Sequence, residues 1–136
     1  MHLSCKAIYG LRILYHVAEA TQHGGLARGA KLAVALSMND SSLEQISGLL
    51  RKAGLIKTVR GRNGGYTLGA HPEEITLLRI IEAVDGPLSM LGDVSGEHCT
   101  DPAWEVLSET MAAKAGTVTL AKVLAENRPQ MNDFVI

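Results

Sequence analysis

The sequence has 136 residues, 46% of them hydrophobic and 20% charged, a balance that favours one compact domain and excludes a disordered chain. No stretch comes near the roughly 20 apolar residues of a membrane-spanning helix, and the first residues lack a signal-peptide layout, so we expect a cytoplasmic protein. The net charge of −1 conceals nine basic against three acidic residues in 1–72, and four against eleven in 73–136. This asymmetry indicates that the first half faces a polyanion.

The first half of the chain predicts three helices. Apolar side chains recur every three or four positions over residues 3–21, and again from about 28 to 36. A tight turn at 37–40 precedes the third helix. There, Ser41 and Glu44 have the spacing of a capping box, in which each side chain bonds a backbone N–H at the helix start. Gly54 is expected to end this helix in the left-handed conformation.

A β-hairpin is predicted after the third helix. Its strands are the short segments 55–60 and 66–69, and between them lies Asn63-Gly64. Asn-Gly is the strongest short hairpin signal, because both turn residues tolerate positive φ. A fourth helix follows, with Thr76 as its cap and Gly86-Pro87 at its end.

The remainder of the chain predicts a loop and two more helices. The loop covers residues 87–100, and Asp101 is then placed as the N-cap of a helix with Pro102 at its first position. Three large side chains form an apolar stripe along that helix: Trp104, Leu107 and Met111. A final helical piece from about 119 to 126 precedes a tail.

Three helices followed by a hairpin predict a winged helix-turn-helix, a mainly α fold with a small β-hairpin. The third helix is then the recognition helix and the hairpin is the wing. Residues 45–72 contain no acid and five basic residues, namely Arg51, Lys52, Lys57, Arg60 and Arg62. Such a basic patch on a wing indicates binding to the phosphates of double-stranded DNA. No nucleophile–base pair or metal motif is readable, so we expect no enzyme and no catalytic residue.

Several longer segments resemble one known family. They are 3–12 (LSCKAIYGLR), 43–45 (LEQ), 50–57 (LRKAGLIK), 59–68 (VRGRNGGYTL), 72–78 (PEEITLL) and 80–86 (IIEAVDG). Together they closely resemble the Rrf-two-type regulators, the family of the iron–sulfur-cluster, nitric-oxide and cysteine-metabolism repressors. The resemblance covers roughly residues 1–126, with weaker stretches at 24–40 and 87–100.

The resemblance implies a homodimeric transcriptional regulator, expected to act as a repressor on a near-palindromic DNA site. It divides the chain into a winged helix-turn-helix domain (1–86), an effector or cluster-type loop (87–100), a dimerisation helix with a terminal helical piece (101–126) and a tail (127–136). The stripe of Trp104, Leu107 and Met111 is assigned to dimerisation, because little chain remains to cover it. The alternative is a dimeric module that acts through a protein partner and does not bind DNA.

The predicted DNA contacts follow from the chemistry of each side chain. Ser41, Ser42 and Gln45 suit base edges or nearby phosphates, and Glu44 accepts from cytosine N4. Arg60 and Arg62 on the wing suit phosphates or the minor groove. Lys52 and Asn63 complete the set, and the glycines of the wing turn (Gly61, Gly64 and Gly65) are expected for their backbone conformation.

The sensing site is where the sequence departs from the family. Cluster-binding members carry three cysteines before the dimerisation helix, whereas this loop has Cys99 alone. By default we expect no cofactor. A [2Fe–2S] cluster on Cys99, His98, Asp93 and a residue of the partner subunit is one alternative. A redox-reactive Cys99, acting with Cys5, is another, and an ordinary loop cysteine with a small-molecule effector, a protein effector or none is the third.

Overall fold

The computed structural model describes residues 4–94 and 96–127, so the predicted tail from residue 128 onward lies outside them. No helix within these two ranges is long and apolar enough to cross a membrane. The elements in chain order are α1 (Cys5–Gln22), α2 (Gly29–Leu36), α3 (Asp40–Lys52), β1 (Ile56–Val59), β2 (Gly65–Leu68), α4 (Leu77–Asp85), a 3-10 turn (Gly92–Val94), α5 (Asp101–Ala115) and α6 (Leu120–Glu126).

Helix α1 forms the centre of the fold. Its apolar side chains at helical spacing include Ile13, Leu14 and Val17, which are fully buried. It contacts α2, α3, α4, α6 and β2, so most of the core is assembled around it. Helix α4 approaches α1 closely at Gly10, where an added Cβ would lie 3.2 Å from Cγ2 of Ile80. The predicted order of three helices and a hairpin is confirmed.

Helix α3 begins earlier than its predicted capping box. Asn39 is the N-cap, and its side-chain oxygen accepts from the backbone N–H of Ser42 at 2.7 Å. The capping box of Ser41 and Glu44 is therefore wrong, because both residues already lie inside the helix. Asn is as good an N-cap as Ser, and the earlier start adds Asp40 and Ser41 to the helix.

The end of α3 is the one that the sequence predicts. Gly54 has a φ of +79°, and its N–H donates to the carbonyl of Arg51 at 2.9 Å. The next N–H, of Leu55, donates to the carbonyl of Leu50 at 2.9 Å. These two bonds form a Schellman motif, and the Leu50 and Leu55 side chains beside it are fully buried. The recognition helix therefore has a fixed end, directly before the wing.

The wing is an antiparallel hairpin in which Ile56 pairs with Leu68 and Val59 pairs with Gly65. A five-residue loop, 60–64, joins the strands, and the N–H of Gly64 donates to the carbonyl of Gly61 at 3.0 Å. The expectation of positive φ at Asn63-Gly64 is wrong, because Gly61 is the residue of this loop with positive φ, at +119°. The hairpin itself is confirmed.

A third segment, around Ala27, pairs with β2 near the loop end of the hairpin. The N–H of Ala27 donates to the carbonyl of Tyr66 at 2.9 Å, and the N–H of Tyr66 donates to the carbonyl of Ala27 at 2.7 Å. The sequence does not predict this bridge, because a single pair of bonds leaves no periodic pattern. The bridge attaches the wing to the chain just before α2.

The C-terminal elements return to the start of α4. Thr76 caps α4 as predicted, and Thr119 caps α6 in the same way. Backbone bonds from Leu77 to Val118 and from Leu120 to Ile75, both 2.8 Å, join the two starts. The predicted cap of α5 is wrong by one position: Asp101 is the first residue of that helix, and its carboxylate accepts from the N–H of His98 instead.

Candidate nucleic-acid interface

The first turns of α3 present a polar, exposed face. Ser41, Glu44 and Gln45 are exposed and Ser42 is half-buried, while the opposite face, with Leu43 and Ile46, enters the core. Further along the helix, Lys52 is exposed as well. The structure therefore places all the predicted contacts of the recognition helix on its accessible surface. With its capping role removed, Glu44 stays available for contacts outside the chain.

The wing extends this face with positive charge. Arg60, Arg62 and Asn63 are exposed at the hairpin loop, and Lys57 is exposed on β1. Arg51, on the last turn of α3, lies between the two elements, with its Nη1 3.4 Å from Oγ1 of Thr58. All five basic side chains of the acid-free stretch are therefore exposed, two of them on α3 and three on the wing.

Two glycines of the wing are required for close backbone approach. A Cβ on Gly64 would lie 2.1 Å from the carbonyl oxygen of Val59, and one on Gly65 would lie 2.5 Å from that of Ala27. Neither residue has a positive φ, so the expectation that they serve backbone conformation is wrong for both. Gly61 alone fits that expectation.

Helix α5 carries the apolar surface that the sequence assigns to dimerisation. Trp104, Leu107 and Met111 are 49%, 42% and 37% exposed. Ser108 and Ala115 are the buried residues of this helix, and Oγ of Ser108 accepts from the N–H of Met90 at 2.7 Å. Beside Met111 lies an almost wholly apolar groove of about 350 Å³, lined by Leu77, Ile81, Leu88, Met111, Lys114, Ala115 and Val118.

The predicted sensor residues are spread over the loop before α5. Asp93 is exposed in the 3-10 turn, and His98 and Cys99 are exposed directly before the helix. Nδ1 of His98 accepts from the backbone N–H of Thr100 at 3.2 Å and lies 2.8 Å from the Thr100 hydroxyl, while Sγ of Cys99 lies 3.8 Å from the same nitrogen. Glu97 begins this segment with a φ of +60°.

Cys5 lies on another part of the surface of the chain. It lines a cleft with residues of α1, of the turn before α3 and of α3 itself, among them the predicted contacts Ser42 and Gln45. Of the described loop residues, 87–94 and 96–100, none lines that cleft. Within one chain, Cys5 is therefore grouped with the recognition helix. Lys6 and Tyr9 line the same cleft, and the sequence predicts neither of them there, because only the tertiary fold brings α1 beside α3.

A capped recognition helix, a basic wing and a core built around α1 define a winged helix-turn-helix protein, the architecture of many DNA-binding regulators. The comparisons with known proteins agree with this class. The model of the Rrf2 family, described as an iron-dependent transcriptional regulator, matches residues 3–126. The chain belongs to the Rrf2 family, and it is a DNA-binding transcriptional regulator of the helix-turn-helix type.

Individual relatives give the same result. The chain is 40% identical to the regulator CymR of Bacillus subtilis over 90 residues, which are 65% of this chain and 64% of CymR. It is 32% identical to the regulator IscR of Aliivibrio salmonicida over 96% of this chain and 81% of IscR. The solved structure of B. subtilis CymR, titled the global cysteine regulator, superposes with a TM-score of 0.78 at 31% identity, over 94% of this chain and 99% of CymR.

The family description raises the question of whether this chain's residues fit iron. Among residues 4–94 and 96–127, no three His, Cys, Asp or Glu side chains are placed to share a metal ion. The loop has one thiol, whereas iron–sulfur clusters take four thiolates, with histidine replacing some in certain variants. Nδ1 of His98 is also occupied by Thr100. The donors of a single chain therefore do not fit a cluster.

Proposed function

We propose that this regulator binds duplex DNA sequence-specifically as a homodimer and represses transcription by occupying a near-palindromic site. The observation that carries the proposal is the exposure of five basic side chains, with no acid in the same stretch, on the second half of α3 and on the wing. A contiguous basic surface of this kind neutralises backbone phosphates. The chain would then act where the DNA is, in the cytoplasm of a bacterial cell.

The proposed roles are of two kinds: contacts with base edges, and contacts with the DNA backbone. Ser41, Ser42, Glu44 and Gln45 enter the major groove on the first turns of α3, where base edges carry a distinguishable pattern of donors and acceptors. Lys52 anchors the helix on a phosphate. Arg60, Arg62 and Asn63 contact the backbone or the minor groove from the wing tip; these contacts fix the register of the helix on the duplex.

The homodimer is proposed from the uncovered stripe on α5. Large apolar residues that are 37–49% exposed on one helix, beside an apolar groove, are typical of a protein–protein interface. A twofold axis through α5 would present two recognition helices to two half-sites. This architecture supports the palindromic site, because the symmetry of the operator mirrors that of the protein.

We propose no resident iron–sulfur cluster, since the donor set of the chain does not fit one. Cys99 remains an exposed thiol, and its redox reactivity stays a prediction. One relative, CymR of Staphylococcus aureus, has been crystallised in an oxidised form. The check is to purify the full chain without oxygen, attempt reconstitution, and measure iron, sulfide and visible absorption. Stoichiometric iron and sulfide would contradict the proposal.

The function is tested by selecting duplexes from a random pool with the purified full chain. We expect a palindrome, and transcription from a promoter that overlaps it should fall when the protein is added. Binding should weaken steeply with salt, and replacing Arg60 and Arg62 by Ala together should reduce the slope of log K against log salt by about two. Lys122→Ala, an exposed cation on α6, is the matched control and should leave the slope unchanged.

Failure to recover any DNA sequence would contradict the proposal and favour the module that acts through a protein partner. A recovered sequence whose binding ignores the double wing variant would contradict the role of the wing alone. The relatives are named as transcriptional regulators, and an enzymatic activity forms no part of the proposal.

A further inference from the structure

The C-terminal end of the recognition helix α3 is held by a side chain of α4. The guanidinium of Arg79 donates from Nη2 to the carbonyl oxygen of Ala53 at 3.5 Å, and from Nη1 to that of Glu74 at 3.2 Å. Ala53 is the C-cap of α3, and the carbonyls at a helix end have no partner inside their own helix. One planar group therefore joins the end of α3 to the loop that leads into α4.

The guanidinium of Arg79 bonds to these carbonyls and not to a carboxylate. Within residues 4–94 and 96–127, no acidic side chain forms an ion pair with it. A cation beside the last turn of α3 also suits the negative end of the helix dipole. At the same helix end, Nη1 of Arg51 donates to Oγ1 of Thr58 at 3.4 Å. One arginine thus joins the end of the recognition helix to the wing, and the other joins it to α4.

Helix α4 connects the recognition helix with the proposed dimer surface. It contacts α1, α3 and α5. Leu77 and Ile81 of α4 line the apolar groove beside Met111 of α5. The angle between α3 and α4 therefore fixes the direction of the recognition helix relative to the exposed stripe of α5. In a twofold dimer this angle occurs twice, so it sets both the distance and the relative rotation of the two recognition helices.

Apolar packing alone determines this angle only weakly. Leu50 of α3 and Ile80 of α4 both approach α1 at Gly10, where an added Cβ would lie 3.7 Å and 3.2 Å from their side chains. The hydrophobic effect that holds them together is non-directional, so it allows α3 to pivot about this contact. Hydrogen bonds weaken steeply when they are bent. The two bonds of Arg79 therefore restrict the pivot at the end of the helix.

Resting on the homodimer and the DNA binding proposed above, we propose that Arg79 is a positioning residue: it sets the angle of the recognition helix and so makes the protein select operators by the spacing of their half-sites. One base pair more or less between the half-sites changes their separation by about 3.4 Å and their relative rotation by about 35°. Two recognition helices held at a fixed angle fit one spacing, whereas two helices that pivot fit several.

The test compares the selected palindrome with two duplexes whose spacer is one base pair longer or shorter. The wild-type chain should bind the selected spacing about tenfold more tightly than either of the others. Arg79→Met keeps an unbranched side chain and removes the guanidinium. It should weaken binding to the selected duplex about fivefold and to the other two by less than about twofold, because the fixed angle is lost. The slope of log K against log salt should not change, since no phosphate contact is removed.

Two further variants complete the test. Arg79→Lys keeps the positive charge and donates to one carbonyl, so the preference for the selected spacing should fall only about twofold. Lys122→Ala removes another exposed cation of the acidic half and should change neither the spacing preference nor the salt slope. Circular dichroism establishes that each variant is folded, and Arg79→Lys carries the test if Arg79→Met is not.

The outcomes separate this inference from the proposed function. If Arg79→Met lowers the salt slope by about one, Arg79 is a phosphate ligand and the positioning role is overturned. Equal weakening of all three duplexes at an unchanged slope overturns it too, because the residue then serves stability alone. A wild-type chain that binds the three spacings equally overturns this inference and leaves DNA binding intact. If no duplex is bound at all, the proposed function itself fails, and the role of Arg79 fails with it.

Discussion

At the scale of single residues, Glu44 is the most informative side chain of the recognition helix. It is exposed on the reading face and, within the described residues, makes no side-chain hydrogen bond to the backbone. We predict that Glu44→Ala lowers the discrimination between the selected site and a site with one cytosine replaced by about tenfold, because a carboxylate that accepts from cytosine N4 is lost. Non-specific affinity should hold or rise, since a negative charge near the phosphates disappears.

The measurement is a pair of binding isotherms on the two duplexes, for each variant. Asp40→Asn is the control, because it removes the other carboxylate of α3 from the first turn of the helix. An equal weakening of both duplexes by Glu44→Ala, or an equal loss of discrimination in Asp40→Asn, would show that Glu44 does not read a base.

The same segment shows how far sequence alone can reach at this scale. Residues 39–42 are Asn, Asp, Ser and Ser, and every one of them is a good N-cap. The pattern therefore predicts that a helix starts here. It does not predict which of the four residues is the N-cap, because that depends on the tertiary structure of the turn between α2 and α3. The C-terminal end of α3 could be predicted to the exact residue, because Gly54 directly follows Ala53, the last position of the apolar stripe.

At the scale of elements, the wing depends on glycines that have no room for a side chain. We predict that Gly65→Ala destabilises the protein by about 1–3 kcal/mol, because its Cβ would lie 2.5 Å from the carbonyl oxygen of Ala27 and the bridge to Tyr66 would have to shift. Urea unfolding, followed by circular dichroism, measures the difference in the free energy of unfolding.

Gly48→Ala is the matched control for this substitution. Gly48 lies inside α3, and a Cβ there would meet nothing within 4 Å. The change should therefore stabilise the protein by about 0.5–1 kcal/mol, because alanine loses less backbone entropy in a helix than glycine. Similar effects of the two substitutions would rule out close approach as the reason for Gly65.

The wing also shows which pairings of secondary-structure elements can be predicted from local sequence. The hairpin could be predicted from two short strands around a glycine-rich turn. The bridge to Ala27 and the closure of α6 onto α4 could not, since both are single backbone pairings between segments far apart in sequence. Such pairings are decided by tertiary packing, which periodicity does not record.

At the scale of the whole molecule, the charge of −1 divides into a basic reading half and an acidic half that carries the exposed stripe of α5. We predict that Leu107→Glu raises the dissociation constant of the homodimer by about 30- to 1,000-fold, the effect of roughly 2–4 kcal/mol at a central interface residue. The mass of the particle, measured by light scattering across a dilution series, checks this.

Val106→Glu is the control for that experiment. Val106 is 61% exposed on the same helix but lies off the stripe of Trp104, Leu107 and Met111, so the same charge should have little effect there. A wild-type chain that is monomeric at every concentration would contradict the dimer, and so would equal dissociation by both variants. The stripe could be predicted from its spacing, but its partner could not, because symmetry leaves no mark in a single sequence.

The bridge between Ala27 and Tyr66 has a consequence for the entropy of binding. Hydrogen bonds hold β2 on two sides, from β1 and from Ala27, and only the five residues of the loop 60–64 extend beyond the ladder. Restricting a free residue costs about 1–2 kcal/mol of backbone entropy. In this fold that cost is confined to the tip on which Arg60 and Arg62 lie, while the strands beneath it are ordered before any ligand arrives. The wing therefore acts as a preorganised arm with a short adaptable end.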